Sequence, residues 1–340
     1  MRFYGLVSLR IRAPPSIVSF LRSEWQNFEE EPDGNDPDFE ASWMSVRQKS
    51  VSPLAVRDGN QTGGWYKGCF WQAEMQERNG RLRVEYWNFP PSKYLFRDSC
   101  LEPLLLAMLE LRGLHSLHAS CIVLADEAWA FCGPPRSGKT MLALTGAHTG
   151  HQYLSDDVTI IGSGRVYPYP APPRIYPHSG RERELLWNVA HYATPFELLV
   201  SALLDLTTFG RVRIPTRLHL PALVFPASRP LRDYPLGGLF LLRKGARSPR
   251  FNRCENRSTV IQEVVNNSPI HGASMTARHG WGDQFEQARL SGLTKDLGDL
   301  VDQGRVFIVD IPEELDATEW KGVLSSTIKL AAEVSSTAIR

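Results

Sequence analysis

The chain has 340 residues, 42% hydrophobic and 22% charged, which is ordinary globular material with enough apolar side chains for one large or two modest domains. Thirty-eight basic against thirty-seven acidic residues leave a formal net charge of +1, so no global field recruits nucleic acid or an anionic membrane. Five cysteines (Cys69, Cys100, Cys121, Cys132, Cys254), scattered and without C-x-x-C, indicate neither a disulfide framework nor a zinc site and read as small buried apolar residues. No stretch approaches the ~18 apolar residues of a membrane span and no apolar signal segment opens the sequence, so a cytoplasmic location is expected.

Residues 1 to 97 are expected to form a β-rich N-terminal lobe. Phe3 to Ile11 is strand-like, and Ser16 to Phe28 has helical spacing after the Pro14-Pro15 stop. Glu29 to Asp38 is an acidic, turn-rich stretch that reads as a solvated linker or as a grip for a basic partner. Trp71 to Met75 and Arg81 to Trp87 flank Asn79-Gly80, a strong hairpin signal. Trp25, Trp43, Trp65, Trp71 and Trp87 make the lobe aromatic, with core packing the default and a docking face the alternative.

A second domain is expected over 98–340. Asp98 to Arg112 reads as an amphipathic helix ended by Gly113 and expected to lie beneath the sheet of that domain. His115 and His118 lead into a strand, Cys121 to Ala125, and a turn at Asp126-Glu127 returns the chain through the apolar run Ala128 to Cys132. Gly133-Pro134-Pro135-Arg136-Ser137-Gly138-Lys139-Thr140 follows, then a helix opening with Met141-Leu142-Ala143-Leu144, then a strand at Gln152 to Ser155 ending in Asp156-Asp157. Beyond it come a proline-rich segment (Pro168, Pro170, Pro172, Pro173, Pro177), a helical pattern at Glu182 to Leu204, a strand at Leu236 to Arg243, a helix at Ser258 to Asn267, a strand at Val306 to Ile311 and a closing helix at Thr318 to Val334. Arg174, Arg181, Arg183, Arg211, Arg213 and Arg217 are candidate phosphate contacts among which the sequence does not choose, and Arg243, at the end of its strand, reads equally as a surface charge or as a phosphate or nucleotide contact.

The octapeptide at 133 to 140 fits G-x-x-x-x-G-K-[ST], in which backbone N–H groups cradle phosphates, the lysine reaches the terminal oxygens and the hydroxyl takes Mg²⁺. Its setting, apolar strand before and helix after, is the one that points a helix N-terminus at an anion. If the strand ending at Ser155 is a parallel neighbour of the strand ending at Cys132, Gly133 and Asp156 share one sheet edge. One of the two carboxylates can then hold Mg²⁺ while the other accepts a proton from an attacking hydroxyl; the alternative is a solvated turn.

Leu117-His118-Ala119, the glycine-lysine loop, Gly150-His151 and Leu154-Ser155-Asp156-Asp157 resemble the catalytic core of the HPr serine kinase/phosphorylase family, above all its HPr-kinase-like relatives in bacterial peptide natural-product clusters. What the resemblance implies is an α/β fold with a P-loop kinase core of the HPr kinase / PEP carboxykinase type, and ATP-dependent phosphorylation of a hydroxyl, usually serine, on a peptide or small protein. By that carry-over Gly133 to Met141 bind ATP, Lys139 neutralises phosphate, Thr140 and Asp157 serve Mg²⁺, Asp156 is the catalytic base and His118 lies near the phosphates. Arg136 stands where the family has glycine. No copy of the glycine-rich segment of bifunctional members is present, so the resemblance extends neither to the reverse phosphorylase activity nor to the hexamer; a homo-oligomer of another kind stays open. Two further readings remain beside the peptide kinase: a kinase for a small-molecule alcohol, and a nucleotide-binding switch or NTPase without a hydroxyl acceptor.

Overall fold

The computed structural model describes residues 1–25, 37–44, 61–66, 69–78, 81–89, 91–169, 174–175, 216–217, 232–267, 281–313 and 315–337. The expected turn at 79–80, most of the acidic stretch at 29–38, the helix at 182–204 and most of the proline- and arginine-rich region lie outside them. The fold is α/β, and the chain divides into two compact units: Met1–His115 with Ile270–Gly292, and Ser116–Pro269 with Leu293–Arg340.

In the first unit β1 (Arg2–Phe3), β2 (Val7–Arg12), β3 (Phe39–Trp43), β4 (Gln61–Tyr66), β5 (Cys69–Arg78) and β6 (Arg81–Phe89) form one mixed sheet in the order β1-β2-β3-β6-β5-β4. The long β5–β6 hairpin keeps its register from Phe70↔Phe89 to Arg78↔Arg81. Helix α1 (Pro15–Trp25), the short α2 (Lys93–Phe96), a π-helical turn (Arg97–Leu101) and α3 (Glu102–Leu111) complete the described part, together with the first half of a later helix (Trp281–Asp302). Tyr86 is fully buried, with Trp71 stacked at 6.2 Å and Phe96 tilted at 5.0 Å, so these aromatics are core. Helix α3 packs on β2 and belongs to this unit, a correction to the expectation that it underlies the second unit's sheet. Its Glu110 accepts from the buried His115 (2.8 Å) with Arg289 nearby (3.9 Å).

The second unit is built on a mixed sheet of β7 (His115–Leu117), β8 (Ala119–Leu124), β9 (Glu127–Cys132), β10 (Tyr153–Ser155), β11 (Thr159–Gly162), β12 (Arg165–Tyr167), β15 (Tyr234–Lys244), β16 (Arg250–Arg253) and β17 (Val306–Ile311), with β13 (Arg174–Ile175) and β14 (Thr216–Arg217) pairing separately. Its central strands β9, β15 and β17 run parallel. Alternation divides their side chains: Trp129, Phe131, Phe240, Leu242, Phe307 and Val309 face helices α4 (Lys139–His148) and α7 (Ala317–Thr337), while Ala128, Ala130, Leu239 and Leu241 face α5 (Arg257–Asn267) and the second half of α6 (Trp281–Asp302). Gly238 makes room for Trp129, whose ring atom Cζ3 would lie 2.3 Å from any Cβ placed there. Among the described residues no helix is long and apolar enough to cross a membrane.

Candidate functional site

Strand β9 is fully buried at its end and delivers Gly133 to the carboxyl edge of the sheet. The loop turns there through a bond from Ser137 N–H to the Pro134 carbonyl (3.1 Å), leaving Pro134, Pro135 and Arg136 exposed. Arg136 holds φ +65°, a left-handed conformation that glycine adopts without strain, which is the physical reason a side chain is unusual there. Gly138, at φ +94°, caps α4, and the Trp320 ring of α7 packs so closely that an added Cβ would meet its Cη2 at 2.0 Å. Buried Lys139 donates Nζ to the carbonyls of Gly133 (2.8 Å) and Pro134 (3.1 Å), folding its ammonium under the loop. Burial pushes its pKa down, while Cys132, Asp157 and Asp156 act in the opposite sense. The Met141 side chain enters the core between sheet and helices, so only its backbone can serve an anion.

The acidic pair meets this loop directly. Thr140 Oγ1 donates to Asp156 Oδ1 at 2.9 Å, and Ser120 Oγ donates to the same oxygen at 2.5 Å. Asp156 is 2% exposed, and its other oxygen, Oδ2, is buried without a hydrogen-bond partner. Burial first, then the neighbouring charge of Asp157, raises its pKa to about 6, against the opposing bonds from Ser120 and Thr140. Three consecutive residues entering β8 clamp the turn: His118 Nδ1 donates to the Asp157 carbonyl (3.0 Å), the Ala119 carbonyl accepts from Thr159 Oγ1 (2.9 Å), and Ser120 holds Asp156. Asp157 sits at φ +63°, a conformation that His118 thereby helps to fix.

One expected feature needs correction. Strands β9 and β10 are not neighbours, because β8 lies between them, antiparallel to both. The carboxyl ends of β9 and β10 still share an edge, since two antiparallel steps restore the direction. The hairpin β8–β9, with Ala125 and Asp126 at φ +49° and +63°, takes the tight turn that such a pair requires. Sequence reasoning missed Ser120 and Thr159, although Ser120 stands only two residues after His118, at the start of β8. Arg243, which the sequence leaves open between a surface charge and a phosphate or nucleotide contact, is tied to Glu263 of α5.

Neither a protein-family profile nor a curated protein sequence matches the chain. Among solved structures, it is similar over 41% of its length to the Hpr(Ser) kinase/phosphatase from Coxiella burnetii. That match covers 78% of the bacterial chain, with 16% identity and a TM-score of 0.23. A likeness of that degree carries no argument about activity, so the chemistry rests on the site itself.

That site offers an anion cradle with a buried cation beneath it, a hydroxyl at the mouth of α4, and a carboxylate bound to that hydroxyl whose second oxygen has no partner. Among the described residues no cluster of three or more His, Cys, Asp or Glu gathers to hold a metal by itself. Thr140 and Asp157 are oxygen donors of the kind a hard divalent cation takes. The thiols of Cys100, Cys121 and Cys132 are buried, and that burial raises their pKa values, away from the thiolate form.

Proposed function

We propose that this chain is an ATP-dependent phosphotransferase of the HPr-kinase-like P-loop type, moving the γ-phosphate to a serine or threonine hydroxyl of a peptide or small protein. The observation that carries the reading is the hydrogen bond from Thr140 to Asp156, which joins the phosphate loop and the acidic pair in one site. The loop and the first turn of α4 bind the β- and γ-phosphates through backbone N–H groups, and Lys139 turns from the loop carbonyls to the phosphate oxygens. Thr140 and Asp157 would hold Mg²⁺, which supplies neutralisation of the triphosphate charge. The acceptor oxygen attacks the γ-phosphorus, the bond to the bridging oxygen of the β-phosphate breaks, ADP leaves, and the acceptor proton passes to Asp156. A carboxylate with a pKa near 6 is a better proton acceptor than one at the ordinary value yet remains ionised at neutral pH. Ser120 and His118 position the turn.

Incubation with γ-labelled ATP, Mg²⁺, a serine-peptide library and a panel of small alcohols tests this. Label on peptide serine or threonine is expected, with little free phosphate released in the absence of acceptor. Label confined to the alcohols would favour a small-molecule kinase, and acceptor-independent phosphate release an NTPase. Lys139→Ala should weaken ATP binding at least about tenfold, since it removes the buried cation under the cradle.

A further inference from the structure

The far edge of the second unit's sheet carries charge that the phosphate site does not use. Between Arg243 and Arg257 the chain has six cations and one acid, Glu255. Arg243 is bound to Glu263, Lys244 to the Glu313 carbonyl, and Arg257 to Asp302. Arg247, Arg250 and Arg253 make no ion pair among the described residues, and all three are exposed. The Arg253 guanidinium lies over the Phe307 ring at 5.9 Å, and the register sets Asp310 opposite both Arg243 and Arg250.

The topology aims these charges. Among the described strands β16 pairs with β17 alone, so its outer edge has no strand beside it there. Gly245 and Ala246 both donate to the Ile311 carbonyl, which carries residues 245–249 across the carboxyl end of β17 and into β16 at Arg250. Because β17, β15 and β9 are parallel, Arg247 and Arg250 stand on the same sheet edge as Gly133. Three strand intervals separate them from the phosphate loop, about 15 Å at about 4.8 Å each.

We propose that this edge docks an acidic, extended segment of the phosphoryl acceptor, its main chain adding to β16 and its carboxylates meeting Arg247 and Arg250. That the occupant is the acceptor rests on the phosphotransferase reading; the docking itself does not. An open strand edge offers alternating N–H and C=O groups that a peptide backbone satisfies and a phosphodiester backbone does not, and the chain's overall charge of +1 supplies no general attraction for nucleic acid. The same arginines keep the edge from pairing with a second copy of itself. An extended peptide advances about 3.3 Å per residue, so 15 Å corresponds to about four or five residues between the acidic stretch and the acceptor hydroxyl.

The test uses labelled peptides containing one serine: one with three glutamates beginning five residues away, one with glutamines in their place, and one with the glutamates next to the serine. Anisotropy at low salt should show the spaced glutamate peptide binding the full chain about tenfold tighter than the other two. Arg247→Glu with Arg250→Glu should erase that preference, as should about 0.5 M salt, where charges are screened beyond about 4 Å. ATP affinity and turnover of the glutamine peptide should not change. Equal affinity for the three peptides, or an undiminished preference in the charge-reversed protein, overturns the proposal. So does a single-stranded oligonucleotide that displaces the peptide at lower concentration and loses binding in the same variant. If the preference holds but no peptide is ever phosphorylated, the docking edge stands and the phosphotransferase reading falls.

Discussion

Asp156 is where stability and chemistry pull apart. Its folded-state pKa, about 6, lies above the ordinary carboxylate value, so between roughly pH 4 and pH 6 the native state binds more protons than the unfolded chain. Stability from this group is therefore complete below about pH 4 and lost as pH rises through about 6, by a few kcal/mol in all, since each tenfold change in proton affinity is worth about 1.4 kcal/mol. Phosphoryl transfer should run the other way, falling about tenfold per pH unit below about 6 as the base becomes protonated. A pH–rate profile and thermal melts over the same range check both signs; a rate flat from pH 5 to 7 would contradict the assignment of Asp156 as base. Ser120→Ala removes one of the two side-chain bonds to the Asp156 carboxylate. It should raise the pH midpoint of activity, because a bond to the charged form is lost, while binding ATP as before.

At the scale of elements, α7 holds the loop at 133–140. Asp316 and Glu319 cap the helix reciprocally, at 2.7 and 2.8 Å, and its first turn sets Trp320 against Gly138. Gly138→Ala places a Cβ within 2.0 Å of that ring at a backbone angle of +94°, so nucleotide affinity should fall at least about tenfold even where the fold survives. Trp320→Ala opens a cavity costing about 3–5 kcal/mol, measured by denaturant unfolding. Local patterns made part of this architecture legible. The apolar strand Ala128 to Cys132, the loop and the following helix form a contiguous motif, and Val306 to Ile311 declares itself by β-branched residues. The insertion of β8 between β9 and β10 was not legible, because which strand pairs with which is decided by long-range packing that periodicity does not encode. The hairpin β11–β12 escaped for its short strands, and α6 because Gly282, Gly292 and Gly298 and many polar residues obscure its helical pattern. Of the site, the residues in the motif were readable, while Ser120 and Thr159 matter only through contacts made across 36 and 40 positions of chain.

For the whole molecule, the division into units bears on how the protein can be cut. Leu101, Leu104, Leu105, Leu106 and Leu109 are buried in the first unit, whose sheet begins at Arg2. A fragment starting at residue 98 would expose side chains whose burial is worth on the order of 10 kcal/mol, at about 2 kcal/mol each. It should aggregate or bind hydrophobic dyes, and a monomeric fragment with a sharp unfolding transition would refute this. The proposed phosphotransfer requires the loop at 133–140 and Asp156 to act on the same nucleotide. The direct test pairs two measurements on Asp156→Asn: calorimetric affinity for Mg²⁺-ATP and the rate of label transfer to an acceptor serine. Affinity should stay within about threefold of the parent while the rate falls by about a thousandfold, within the span expected for loss of a general base; full turnover in the asparagine variant would contradict that role.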